Sequence, residues 1–420
     1  MEATTKILWI IATSLILTNS IYFSIKIKFP QLKIVKSLKS IRKNKNSNIS
    51  PKDTLIMALS SKIGVGSLSG TALCIYYGGI GTIFWIFIST FFISIITYIE
   101  NELSIIYKEK DGQYQKSGPT YYIKKGLNNK KLSIVYAITM IITYSILFSA
   151  IQNNTMTILT NNIFNINKVI ISITITITTG IVILKGIKTI SNICNKVFPI
   201  MMIFFIIIGA TIILKHISSI PTILLNSVKQ AFNTKPLVSG IVYTILISFQ
   251  KSIFANESGV GTSAIISGTT DNNDYKLQGN IGLIQTYFIN FIVLGITSFV
   301  IITSMPSNID ISNGIELTKY AFHYHLGFFG DLSLLLILIL FSYSSLITIY
   351  YYGENCLKFL TKNRTSIKIL KIITILSIFT GGIINAPIIW KLIDIFLAVL
   401  TIINMYAIYK LKEIIINKNK

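Results

Sequence analysis

The sequence predicts an all-α integral membrane protein of about eleven transmembrane helices, and three observations lead there. Hydrophobic residues make up 52% of the 420 positions against 13% charged, a balance far from that of a soluble chain of this length. Apolar runs of about 18 or more residues recur from end to end, each long enough to cross a hydrocarbon core of roughly 30 Å as a helix. The charged residues fall between those runs. A β-barrel would alternate in much shorter segments and is excluded.

The first run, residues 7–25, reads as a retained helix rather than a signal peptide. Its leader carries Glu2 beside Lys6, and no small-x-small cleavage site follows before Lys26. Ten further spans are expected near 54–78, 80–106, 132–150, 167–184, 196–215, 238–256, 280–304, 330–352, 366–385 and 387–409. The polar stretches 26–53 and 107–131 are too short and too charged to bury cores of their own. The chain therefore divides into an extra amino-terminal helix with a basic loop, 1–49, and one membrane core, 50–420.

A formal charge of +23 raises the question of nucleic acid, and the placement of the charge answers it. Of the 38 Lys and Arg, 29 fall in loops on one side of the expected spans and seven on the other, with Lys62 and Lys251 inside spans. Basic residues are retained in the cytoplasm, so the amino terminus is expected outside and the carboxyl terminus inside a multi-pass cytoplasmic (inner) membrane protein. The basic loops set topology and meet anionic lipid headgroups; no nucleic-acid partner and no obligate protein partner is inferred.

Glycine clusters inside a span free backbone groups that lipid cannot satisfy, so they persist where the backbone lines a protected cavity. The second span contains IGVGSLSG, with Gly64, Gly66 and Gly70, and the seventh runs into FANESGVGTS, with Phe254, Asn256, Glu257, Gly259, Gly261 and Thr262. The two clusters lie five spans apart, and the charge count gives the two spans opposite directions. That spacing predicts two inverted five-helix repeats, approximately 54–215 and 238–409, with the breaks at corresponding positions. A broken helix offers free N–H groups to a carboxylate and free C=O groups to a cation, which suits an amino-acid zwitterion and a monovalent ion. Glycines that only let helices pack closely are the alternative reading.

At these motifs the chain resembles the alanine or glycine:cation symporter family of the amino acid, polyamine and cation superfamily, over most of its length from about Ser50. Gly64 to Gly70 is similar to that family's GTGNIAG, and YYGGIGTIFW follows where the family has GGPGAxFW. SGPTYYI, with Gly118 and Pro119, resembles GGPMYYI, and Gln152, Asn153, Asn154 and Thr155 resemble QANS. Phe254 to Thr262 resembles FSNEAGxGS, Gln278 and Gly279 its QG, Phe341 to Ser345 its FAFTT, and Tyr351 to Glu354 its YYGE. The resemblance implies a leucine-transporter-like fold of ten core helices with one extra helix in front, and sodium-driven uptake of alanine, glycine or a close relative.

By that resemblance the substrate contacts are expected at Gly64, Gly66, Ser67, Gln152, Asn154, Phe254, Asn256, Gly259 and Ile349. A sodium site is expected from carbonyls near Ile63 and Gly64 with the hydroxyls of Ser344 and Ser345; no other cofactor is called for. Gln152 is either the uncharged amide that orients the zwitterion or a bridge between two helices. The two serines are either ion ligands or hydroxyls bonded back one turn. Two departures bear on specificity: Ser67 stands where the family has Asn, and Thr348 and Ile349 stand where it has Gly-Trp.

Glu257 and Asp394 are ionisable groups in or near spans and hence functional candidates, which keeps proton coupling and another small solute open as an alternative. Glu257 sits where it caps a half-helix or pairs with Lys251, and Asp394 sits beside Lys391. His216, His323 and His325 are expected in external loops, and Cys74, Cys194 and Cys356 show neither disulfide nor zinc spacing. With no HExxH, P-loop or GxSxG, a nucleotide-driven pump or a membrane protease finds no support. A channel or sensor on the same fold would need a pore or an added signalling domain, and an enzyme would need polar groups clustered at one face.

Overall fold

A computed structural model describes residues 2–33, 48–112, 114–232, 241–304, 314–384 and 387–419. Residues 34–47 of the expected basic loop, the start of the expected span 238–256 and residue 385 of the span 366–385 lie outside the described residues.

The long helices follow the apolar runs. They are α1 (Glu2–Lys26), the bent pair α2 (Pro51–Lys62) and α3 (Val65–Gly78), α4 (Gly81–Ile106), α6 (Lys130–Phe164), α7 (Lys168–Lys185), α8 (Ile187–Lys215), α12 (Tyr275–Ile302), α14 (Phe328–Leu360), α15 (Arg364–Ile383) and α16 (Pro387–Lys410). Among the described residues nine are long and apolar enough to cross a membrane, or ten when α2 and α3 count as one span. The seventh expected span appears as α10 (Ile241–Asn256), whose 16 described residues are shorter than that test requires.

Shorter elements fill the connections: a hairpin of β1 (Glu109–Asp111) and β2 (Tyr114–Lys116), then α5 (Pro119–Gly126), α9 (Ile220–Ala231), α11 (Thr262–Ser267), α13 (Gly314–Leu326) and α17 (Lys412–Asn419). His323 and His325 sit on α13 rather than in a loop, a correction to the expectation above. His323 pairs with Asp331 at 2.9 Å, and His325 meets Thr303 and the Val300 carbonyl.

Exposure is inverted relative to a soluble protein. Ile173, Ile177 and Ile181 on α7, Ile200, Ile203 and Ile207 on α8 and Ile369, Ile372 and Leu376 on α15 all face outward. Those stripes follow helical spacing and suit contact with lipid. The interior is rich in Ser, Thr, Asn and Gln, which bond between helices or back along their own.

Two spans run further than their apolar cores. The fourth was expected to end at residue 150, yet α6 continues to Phe164 and includes a π-helical stretch, Ile141–Phe148. Its polar QNNT segment stays helical because α15 supplies partners: Asn153 Nδ2 donates to the Ile378 carbonyl at 2.7 Å, and Asn154 Nδ2 to those of Gly381 and Ile384 at 2.8 and 2.7 Å. The ninth, α14, runs through YYGE to Leu360 and packs against α2, α6, α8 and α13. Elsewhere α12 lies along α4, and α1 lies on α16.

Candidate functional site

The first break forms where the glycine cluster predicts it. Ser50 and Asp53 cap α2 reciprocally, with Pro51 in the first turn, and the helix then stops at Lys62. Ile63 is extended (φ −82°, ψ 94°), and α3 starts after Gly64 on an axis bent by 51°. The freed groups are met by side chains. The Val65 N–H donates to Gln152 Oε1 at 3.4 Å, Ser345 Oγ donates to the Ser61 carbonyl at 2.6 Å, and Ser67 Oγ donates to the Lys62 carbonyl at 3.1 Å. Gln152 Nε2 in turn donates to Ser345 Oγ at 3.1 Å.

Gly64 is required by this arrangement rather than by its dihedrals. A Cβ there would lie 2.7 Å from Gln152 Nε2 and 3.3 Å from Ser345 Oγ. At Gly66 a Cβ would lie 2.7 Å from Phe254 Cε1, so the phenyl ring of the second broken span covers the first break.

The second break, between α10 and α11, uses the left-handed region: Glu257 at φ 49°, Gly259 at 85° and Gly261 at 99°. Its carbonyls also find partners, Val260 accepting from Tyr136 OH at 2.5 Å and Gly259 from Asn404 Nδ2 at 2.9 Å. Lys62 ties the two breaks together. Its ammonium donates to Ser263 Oγ on α11 and to Gln285 Oε1 at 3.3 Å, and the acidic groups in its field are Glu257 and Glu100. Lys251 is not the partner of Glu257; it lies over the Phe254 ring, 5.6 Å from the centroid.

Beside the breaks lies a cavity of about 620 Å³ lined by Gly66, Ser69, Gly70, Leu73 and Tyr77 of α3, by Asn154, Lys251 and Phe254, and by Trp390, Lys391 and Asp394 of α16. Of the expected site residues, Gly64, Gln152 and Ser345 meet at the first break, while Gly66, Asn154 and Phe254 line this cavity. Ser344 bonds to the Phe341 and Ser60 carbonyls at 3.0 and 3.4 Å, beside the break. Asn256 instead bridges the Ser252 carbonyl and Asn290, Gly259 packs toward Ile16, and Ile349 is buried in the core away from the cavity lining.

Residues that the motifs did not point to are Ser61, Trp390 and Lys62. Trp390 places an indole 6.1 Å from the Phe254 ring centroid. Lys62 carried a legible signal, since an ionisable side chain within a span is a functional candidate.

At the first break a hydroxyl, a carbonyl and an amide oxygen converge without a net charge, chemistry that suits a hard monovalent cation or a zwitterion. Among the described residues no cluster of His, Cys, Asp and Glu could hold a metal ion. The fold and this break define a multi-pass membrane protein of the solute-transport class. Along residues 1–420 the sequence matches the model of the sodium:alanine symporter family, and the chain belongs to that family. It is thus a cation-coupled amino-acid transporter.

Three relatives show how far the likeness reaches. The amino-acid carrier protein AlsT of Bacillus subtilis is 28% identical over 94% of this chain and 85% of its own length. The probable sodium/glutamine symporter GlnT of the same organism is 28% identical over 96% and 85%. The sodium/alanine symporter AgcS of Methanococcus maripaludis is 25% identical over 97% and 92%.

Proposed function

We propose that the protein is a sodium-coupled symporter that carries a small neutral amino acid of the alanine or glycine type into the cell by alternating access. One observation carries the reading: the amide of Gln152, the hydroxyl of Ser345, the N–H of Val65 and the carbonyl of Ser61 converge on the bend at Gly64. The substrate carboxylate meets amides that begin α3, and sodium meets oxygens that end α2 together with Ser344 and Ser345. Both ligands then share one break, and each stabilises the pocket for the other.

The same proposal takes eleven spans as an extra helix followed by two inverted five-helix repeats, with the breaks of α2/α3 and α10/α11 at the first position of each. The domain division at residues 49 and 50, the amino terminus outside and the carboxyl terminus in the cytoplasm belong to it. The bundle carrying both breaks rocks against the remaining helices.

A second reading, proton coupling, draws on a separate observation. Lys62, Glu257 and Glu100 are buried beside both breaks, and among the described residues one oxygen of each carboxylate has no hydrogen-bond partner. Uptake of labelled alanine, glycine and serine into proteoliposomes under a sodium gradient, a proton gradient or neither separates the two. Sodium-dependent uptake is expected; uptake driven by the proton gradient alone would favour the second reading.

A further inference from the structure

Lys62 closes the last turn of α2, where the end of a half-helix leaves partial negative charge. Its side chain is buried, and its ammonium is held by neutral oxygens. It donates to Ser263 Oγ on α11 and to Gln285 Oε1 on α12 at 3.3 Å, and the Ser263 hydroxyl donates to the same Gln285 oxygen at 3.2 Å. Glu257 and Glu100 act on the ammonium through space, and among the described residues neither forms an ion pair with it. A hydroxyl and an amide oxygen with acidic groups farther out make the surroundings that a hard monovalent ion takes. This oxygen set is separate from the one proposed for sodium, whose hydroxyls, Ser344 and Ser345, belong to α14.

A positive charge is needed at this point. Without it, the buried Glu257 and Glu100 and the negative end of a half-helix would lie uncompensated in a low-dielectric interior. A carrier that met the need with a free ion would move that ion across the membrane with each amino acid, whereas an ammonium tethered to α2 stays behind. We infer that Lys62 fills a second monovalent-cation position with its own ammonium, and that removing the ammonium turns the surroundings of Ser263, Gln285 and Glu257 into a sodium site. The position at Ser344 and Ser345 is then the one left for a transported ion. The inference rests on the sodium-coupled reading above.

The test counts labelled sodium bound at equilibrium to the purified full-length protein with alanine saturating. The wild type should hold about one ion per molecule, and Lys62→Ser, which opens the space and adds an oxygen, about two. Methylammonium, a free copy of the lysine end group, should displace the added ion from Lys62→Ser and leave the wild-type count unchanged. Lys62→Met, which fills the space without a charge, should hold about one ion. Stability supplies a readout independent of the count: the melting temperature of Lys62→Ser should rise with sodium further than that of the wild type, because each bound ion adds its own stabilisation. A wild-type count of about two, or a Lys62→Ser count that stays at about one, overturns the inference while sodium coupling stands. If Lys62→Ser does not fold, the wild-type count and Lys62→Thr decide it in the same way. Alanine binding by the wild type with no sodium bound overturns both the inference and the sodium-coupled reading.

Discussion

Gly64 has a hydrogen where a methyl would press against Gln152 and Ser345, the two side chains that organise the first break. Gly64→Ala should therefore push Gln152 away from the Val65 N–H and reduce amino-acid affinity by at least about tenfold, the equivalent of roughly 1.4 kcal/mol. Equilibrium binding measures it, and an unchanged affinity would remove Gln152 from the site. Asn154 separates two roles more sharply. Its Nδ2 already donates to two carbonyls of the α15 end while the residue lines the cavity. Asn154→Ala should cost about 0.6–1.7 kcal/mol of stability, seen as a lower melting temperature. A weakened affinity with an unaltered melting temperature would show a substrate contact instead. The motif matched here by sequence carries no sign of this second duty, because its partners are backbone carbonyls more than two hundred residues away.

At the scale of elements, the two breaks were legible as glycine clusters within apolar runs, and each bends or unwinds where its glycines lie. The lengths of α6 and α14 were not. Hydropathy ends a span where polar residues begin, whereas Asn153 and Asn154 stay helical because carbonyls at the end of α15 satisfy them, and Asn355 because its Nδ2 donates at 2.7 Å to the Ser117 carbonyl in the segment before α5. The link between the breaks was equally hidden: Lys62 stood out as a charge in a span, but its acceptors on α11 and α12 depend on the tertiary fold. Lys62→Met keeps the length of the side chain and removes that link, so it should destabilise the protein by about 1–3 kcal/mol. A melting temperature equal to wild type would mean that Lys62 does not hold the breaks together. Gly381 brings α15 against the Ala150 backbone, and Gly381→Val should overpack that contact at a cost of about 1–3 kcal/mol, again read as melting temperature.

For the whole molecule, charge bias gave a topology that helix packing does not determine. Lys6→Cys should react with an impermeant maleimide added to intact cells, and Lys418→Cys only after permeabilisation; the reverse pattern would invert the orientation. Cys74, Cys194 and Cys356 are all buried, so their background is expected to be low. The central claim is that one broken helix holds the amino acid and the cation together. Linkage then requires each to raise the affinity of the other by the same factor. The direct measurement is the alanine dissociation constant of the purified protein across a range of sodium concentrations, paired with the sodium dissociation constant across a range of alanine. Equal factors in the two titrations, abolished by Ser345→Ala, are the predicted result. An alanine affinity indifferent to sodium would contradict the account.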